Sequence, residues 1–237
     1  MSLVSIHGIK KHLKKVAHPA VKRFKPAHDI PDRPLSTRWG SDRGTPIDRH
    51  FIDQFLQSHH KDIRGSVLEI KNPRYTNSIG NDVLVSEVLD INPDNKDATI
   101  IADLQKADNV QDNTFDCFIL TETLQFIYDL KSAIEHARRI LKPGGILLVT
   151  VPAISPLDPD FPDHDFWRFT QNSCRVLFGD VFGEDNIAVE TYGNFVTCSG
   201  FLSGMAAEEI APRRLNDKSD IYVQGVCVRA VKSPILG

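Results

Sequence analysis

Residues 66–91 read SVLEIKNPRYTNSIGNDVLVSEVLDI, and the pattern continues through ATIIADL (98–104) into FDCFILTETL (115–124). Apolar runs rich in Val, Ile and Leu that do not alternate strictly with polar residues suggest strands covered on both faces, as in a parallel sheet between helices. The expected class is therefore α/β. Two acids carry most weight: Glu69 near the end of the first run and Asp90 near the end of the second. In open parallel sheets ligands sit beyond the carboxyl ends of the strands, and an acid about 20 residues past the first strand can accept from both hydroxyls of a ribose. Asp90 has that placement.

At 237 residues the chain can bury a sizeable core as one domain. Its formal charge of -3 hides an asymmetry. Residues 1–28 hold seven Lys or Arg, four His and no acid, leaving 21 basic against 31 acidic residues for the remainder. A body so acidic is a poor nucleic-acid surface, so no nucleic-acid partner is expected. The four cysteines, Cys117, Cys174, Cys198 and Cys227, form no CxxC pair. That spacing argues for a reduced, cytoplasmic setting without structural zinc. No apolar run approaches the ~18 residues of a membrane span, and the basic N-terminus lacks an apolar block of signal-peptide length.

Ile6, Ile9, Leu13, Val16, Ala20 and Phe24 recur at helical spacing with lysines on the other faces, which predicts a basic amphipathic helix, bent at Pro19. Residues 1–25 are then expected to pack on their own domain or on a sister subunit, or to dock on an acidic partner or an anionic membrane surface. Residues 26–46 hold four prolines and read as an extended linker, so residues 1–46 are expected to stand apart from a single domain over residues 47–237. Trp39 and Arg43 in the linker, and Arg49 just after it, are candidates for touching ligand. A helix is expected from Ile47, with Thr45 as N-cap and Pro46 at its first position. Asp129 is placed to cap a helix over residues 130–141, whose LKPGG end leads into a fifth strand, ILLVTV (146–151). Thr170 is placed to cap another helix ending near Phe182. NIAVETYGN (186–194) reads as a sixth strand, SGFLSGMAAEEI (199–210) as a helix stopped by Pro212, and YVQGVCVRAV (222–231) as the last strand.

SVLEI, VLDI with Asp90, ADL with Asp103, FDCFILTETL and above all RRILKPGGILLVTVP together resemble the class I S-adenosylmethionine-dependent methyltransferases, the type 11 group in particular. The resemblance covers roughly residues 63–152. It implies a Rossmann-like sandwich around a mostly parallel seven-stranded sheet of order 3-2-1-4-5-7-6, with strand 7 antiparallel. It also implies S-adenosylmethionine as cofactor, with Asp90 and its neighbour Ile91 at the ribose, Asp103 and Leu104 at adenine, and Thr121 and Glu122 beside the cofactor after strand 4. One departure stands out. The family's first loop is usually glycine-rich because backbone packs closely against the methionine part, whereas here Glu69 is followed by Ile70, Lys71, Asn72, Pro73, Arg74 and Tyr75, and the first glycine is Gly80. The loop is then expected to take another path, with Asn72, Tyr75 and Thr76 supplying contacts, Glu69 and Gly80 flanking them as further cofactor contacts, and the Tyr75 ring able to face a sulfonium cation.

Methyl transfer is an in-line displacement at an activated carbon, so the protein mainly aligns the reactants and removes a proton from a hydroxyl acceptor. His164, in the loop after strand 5, is the candidate base, with Asp165 as its orienter or as the base itself. Arg168 and Trp167 are candidates for lining the acceptor pocket. The segment DFWRFT (165–170) resembles one seen in family members lying near glycan-synthesis enzymes, which points to a sugar or other small-molecule acceptor. Asp158, Asp160, Asp163, His164 and Asp165 also resemble an oxygen-rich Mg²⁺ or Ca²⁺ site, but their spacing is irregular and no metal is assigned to them. Tyr192 and Asn194 are candidates for the acceptor site or for a turn. A second functional class stays open: a non-catalytic binding or scaffold module that kept the fold and lost the glycine loop. A nicotinamide oxidoreductase or a serine hydrolase lacks its fingerprint, G-x-G-x-x-G or G-x-S-x-G.

Overall fold

The computed structural model describes residues 32–234, so the basic helix expected over residues 1–25 and the contacts assigned to it lie outside the described residues. Seven strands form one sheet: β1 Gly65–Ile70, β2 Val83–Asp90, β3 Ile100–Ile101, β4 Phe115–Thr121, β5 Leu141–Pro152, β6 Ile187–Tyr192 and β7 Gly225–Val231. They lie in the order β3-β2-β1-β4-β5-β7-β6. Neighbours among β1 to β5 are parallel, and β7 runs antiparallel to both β5 and β6. Because β1 adjoins both β2 and β4, the chain winds outward in two directions from that pair, leaving a crevice beyond their carboxyl ends.

Helices cover both faces, as the continuous apolar strands require. Along β4, Phe118 and Leu120 point into a core with α3 (Leu130–Ile140) and α4 (Gln171–Phe182). Cys117 and Ile119 point into the opposite core, which α1 (Ile47–Ser58) closes with Phe51, Phe55 and Leu56. In α3 the apolar stripe Ala133, Ile134, Ala137 and Ile140 is buried, and Asp129 caps it by accepting from the Ser132 amide. Gly144 takes the left-handed conformation after it, at φ +80°, and β5 resumes its pairing with β4 at Ile146. Thr170 caps α4 with a reciprocal Thr170–Ser173 pair.

Four local expectations change. The polar stretch after β1 contains a short helix, α2 (Arg74–Ile79), whose start is organised by the buried Glu69 side chain of β1 and not by a residue at the capping position, Pro73. The helix expected over 199–210 instead runs as α5 (Phe195–Leu202). Asn194 caps it through bonds to the Val196 and Thr197 amides, and Gly204 turns the chain out of it at φ +73°. A further short helix, α6, spans Pro212–Leu215. Thr45 is not the cap of α1: its hydroxyl donates to Glu208, and Pro46 occupies the capping position without a side-chain bond.

Finally, the unit that holds the sheet begins at Pro34 and not at Ile47. Residues 34–46 strap onto the stretch after α5: the Leu35 amide donates to Ser203, Arg43 pairs with Glu209, and Pro46 bridges Ala206. Prolines suggested a free linker. The strap is instead fixed by close backbone contact, since a Cβ on Gly204 would stand 2.3 Å from the Ser36 carbonyl oxygen.

Candidate functional site

The carboxyl ends of β1, β2 and β4 open into a cavity of about 1070 Å³, walled also by α1 and by the loop that follows β5. Three non-glycine residues with positive φ line it: Trp39 (φ +54°), Lys71 directly after β1 (φ +69°) and Glu122 directly after β4 (φ +43°). Such strain persists where surrounding structure imposes it, and it clusters at functional sites. Lys71 thus takes by compulsion a turn that glycine takes freely.

Asp90, half-buried at the end of β2, accepts from the Asn92 amide at 2.9 Å and from the Asn95 carboxamide at 2.6 Å. The same Asn95 nitrogen donates to the Lys71 carbonyl at 2.6 Å, tying the turn after β1 to the turn after β2. Each Asp90 oxygen keeps a lone pair for a ligand hydroxyl. Ile91 and buried Leu104 line the same region. Asp103 lines it too, while accepting from the Gln105 amide.

Glu69 lines the cavity but is 2% exposed and spent on structure: it accepts from the Tyr75 amide, the Thr76 amide and the Thr76 hydroxyl. Burial holds its carboxyl above the usual range, against those three bonds. Asn72 and Tyr75 also line the cavity. The Tyr75 hydroxyl donates to Asp53 and accepts from Arg49, and the guanidinium carbons of Arg49 and Arg74 lie 5.8 and 5.4 Å from its ring centre. Burial first, then these partners, set its hydroxyl at about 12. A ring already serving two cations is poorly placed to receive a sulfonium, a correction to the expectation for Tyr75. Gly80 is a second correction. It lies outside the cavity wall and closes α2, with its amide donating to the Thr76 carbonyl.

Thr121 and Glu122 line the cavity beside β1. The Glu122 amide donates to the Thr150 carbonyl at 2.9 Å, and its carboxylate accepts from the Thr150 hydroxyl at 3.1 Å. Burial first, and then the negative charge of Asp48, push this carboxyl up to about 7. Asp48, in the first turn of α1, is itself raised by burial.

In the loop after β5, His164 reaches the cavity from an exposed turn, its ring 6.3 Å from that of Phe166. Asp165 does not orient it. Its side chain is 2% exposed and pairs with Arg168, while it also accepts from the Asp158 amide. Burial opposes ionisation there, and the Arg168 bond outweighs it, so the Asp165 carboxyl lies below its ordinary range. Arg168 continues to the Pro156 carbonyl and Trp167 donates to the Ile127 carbonyl, so both hold the loop and stand behind the lining. The carboxylates of residues 158–165 do not converge, and among the described residues no group of three His, Cys, Asp or Glu is arranged around a metal. Tyr192 packs on Phe51 and Asn194 caps α5, so neither faces the main cavity. Trp39 and Arg49 line it, whereas Arg43 is engaged by Glu209.

Asp48 and Gln125 of the lining escaped sequence reading, as did Asn95, which ties Asp90 to Lys71 without lining the cavity itself. Gln125 is 7% exposed, and its buried Oε1 has no hydrogen-bond partner, which leaves it for a ligand. Its place four residues past β4 was the only local signal. Around the mouth, Tyr128, Phe161 and Phe166 expose aromatic faces, with Tyr128 5.5 Å from Phe166 and Phe161 6.2 Å from Phe126.

Residues 65–149 match the profile of the methyltransferase domain family. Over 58 residues the chain is 41% identical to the ubiquinone/menaquinone biosynthesis C-methyltransferase UbiE of Pasteurella multocida, covering 24% of this chain and 22% of that protein. The chain thus matches under a quarter of that relative's length. Among solved structures, a SAM-dependent methyltransferase from Archaeoglobus fulgidus superposes with a TM-score of 0.51 at 12% identity, over 78% of this chain and 94% of that one. The [4+2]-cyclase SpnF gives 0.53 at 14% identity, over 85% and 87%. These likenesses establish the architecture, and the presence of a cyclase among them shows that the architecture alone does not fix the chemistry.

Proposed function

We propose that this chain, a class I methyltransferase-fold protein whose residues 65–149 form a methyltransferase domain, moves a methyl group from S-adenosylmethionine to a hydroxyl of a sugar or other small-molecule acceptor. The observation that carries the reading is Asp90: a half-buried carboxylate with unspent lone pairs, at the end of β2, beside the crevice where the strand order reverses. Asp90 holds the ribose hydroxyls, Asp103 and Leu104 the adenine, and the buried, unpartnered Gln125 a polar group of cofactor or acceptor. The cofactor supplies an activated methyl group. The chain's part is to bind the nucleoside, align the acceptor and take up a proton.

The cavity is at the upper end of the size range of small-molecule sites, which suits a nucleoside and an acceptor side by side. It remains open beside α2, so the glycine-poor turn does not fill it. The aromatic mouth suits an acceptor with an apolar face, a sugar ring included, and places His164 in reach of that acceptor.

Calorimetry with S-adenosylmethionine and S-adenosylhomocysteine tests the reading. Binding of both is expected, weakened at least tenfold by Asp90→Ala, or about 1.4 kcal/mol. Absence of binding to the wild-type chain would hand the lead to a non-catalytic scaffold, which the spent Glu69 and the strained Lys71 turn favour.

A further inference from the structure

Three placements fix a direction across the cavity. Asp103 and Leu104 follow β3, Asp90 ends β2, and Glu122 follows β4, with β1 between the last two. A nucleoside whose base lies toward β3 and whose ribose meets Asp90 therefore extends its 5′ substituent over the end of β1, toward Glu122. That carboxylate is set rather than free. Its backbone is forced to φ +43°, and its amide and one oxygen are both held by Thr150. Among the described residues its other oxygen, Oε2, has no hydrogen-bond partner. The same cavity wall contains the buried and unpartnered Oε1 of Gln125, a second sign that ligand atoms complete this corner.

We infer that Glu122 is the base for the transfer, and that it keeps a proton of its own until the methyl donor's cation docks beside it. The inference rests on the proposed use of S-adenosylmethionine. As the acceptor oxygen bonds to the methyl carbon, the carbon–sulfur bond breaks with its electron pair passing to sulfur. The hydroxyl proton goes to Glu122 Oε2. The products are a methyl ether, a neutral thioether and a neutral carboxyl, which returns its proton to solvent.

The surroundings support a group poised in this way. Asp48 and Arg49 approach from α1, Arg168 from the loop after β5, and Cys227 from β7, with Glu69 at the end of β1. Burial and Asp48 raise the Glu122 carboxyl to about 7, while Thr150, Arg49 and Arg168 draw it back. Adding a sulfonium lowers it and adding a thioether does not, so the site distinguishes methyl donor from spent product by one charge. His164 has no comparable support, because no group orients its ring and it stands on an exposed turn.

Proton release on binding tests this without any acceptor. Titrating the full chain calorimetrically in buffers of different ionisation enthalpy at pH 7, S-adenosylmethionine is expected to release about half a proton per site more than S-adenosylhomocysteine. Glu122→Gln is expected to remove that difference while both ligands still bind. Asp48→Asn, which takes away a neighbouring negative charge, is expected to shift the pH of greatest release downward, and it serves if Glu122→Gln does not fold. Equal release by the two ligands, or a difference that survives Glu122→Gln, would overturn the inference alone. Failure of the wild type to bind either ligand would overturn the cofactor reading beneath it.

Discussion

Thr76 gives Glu69 both its amide and its hydroxyl, each at 2.8 Å, and the Tyr75 amide adds a third donor at 2.9 Å. The last side chain but one of β1 thus caps the helix that follows it, and the cap fixes how the turn after β1 meets the cavity. Glu69→Ala would leave buried donors unpaired and is expected to cost about 3 kcal/mol, against about 1 for Glu69→Gln, which keeps one acceptor. Urea unfolding of the three proteins checks the order.

Glu122 makes stability depend on pH in a stated direction. Its carboxyl rises from 4.5 to about 7 on folding. Between those values the folded chain binds more protons than the unfolded one, so this group's contribution is full below pH 4.5 and is lost as pH rises through 7. Glu122→Gln, always neutral, is expected to match the wild type near pH 4 and to exceed it above pH 7. The gain is up to ~3 kcal/mol and less where cavity water screens the charge. Thermal melts across that range check it, and a variant less stable at pH 8 would refute it.

Arg168 and Asp165 anchor the loop over the cavity. Arg168→Ala strands a carboxylate whose side chain is 2% exposed and releases the Pro156 carbonyl. The expected loss is about 3 kcal/mol, with Asp165→Asn costing less because the amide still pairs with Arg168. Chemical denaturation measures both, and protease sensitivity in residues 153–169 should rise in step.

The strap is testable through Gly204. At φ +73°, and with only 2.3 Å between an added Cβ and the Ser36 carbonyl oxygen, Gly204→Ala must displace backbone. A loss of about 2 kcal/mol or more is expected. Trp39, carried by the strap into the cavity wall, should then report ligand less faithfully: quenching of its fluorescence by S-adenosylhomocysteine is expected in the wild type and diminished in Gly204→Ala.

Much of the architecture was legible from order and periodicity. Continuous runs such as SVLEI and FDCFILT bury both faces, as a sheet between helices requires. The stripe of α3 and its Asp129 cap were equally local, since each depends on residues within two turns of one another, whereas which glycine of LKPGG turns left-handed was settled only by the structure, at Gly144. Asp90 was legible for the same reason: a strand end fixes its position, and the fold's crevice lies at strand ends.

What the sequence by itself determined is the sheet, its order through family resemblance, and the carboxylate of Asp90 at the end of β2. What only the tertiary structure decided is how the polar side chains are spent. Asp165 faces Arg168 and not His164, Thr45 serves Glu208 and not a helix end, and Glu69 is consumed as a cap. Asp48 and Glu122, 74 positions apart, act on each other across one cavity. The physical reason is range. Apolar patterning is read from neighbours along the chain, whereas a charge or hydrogen bond takes its value from burial and from partners that folding brings together.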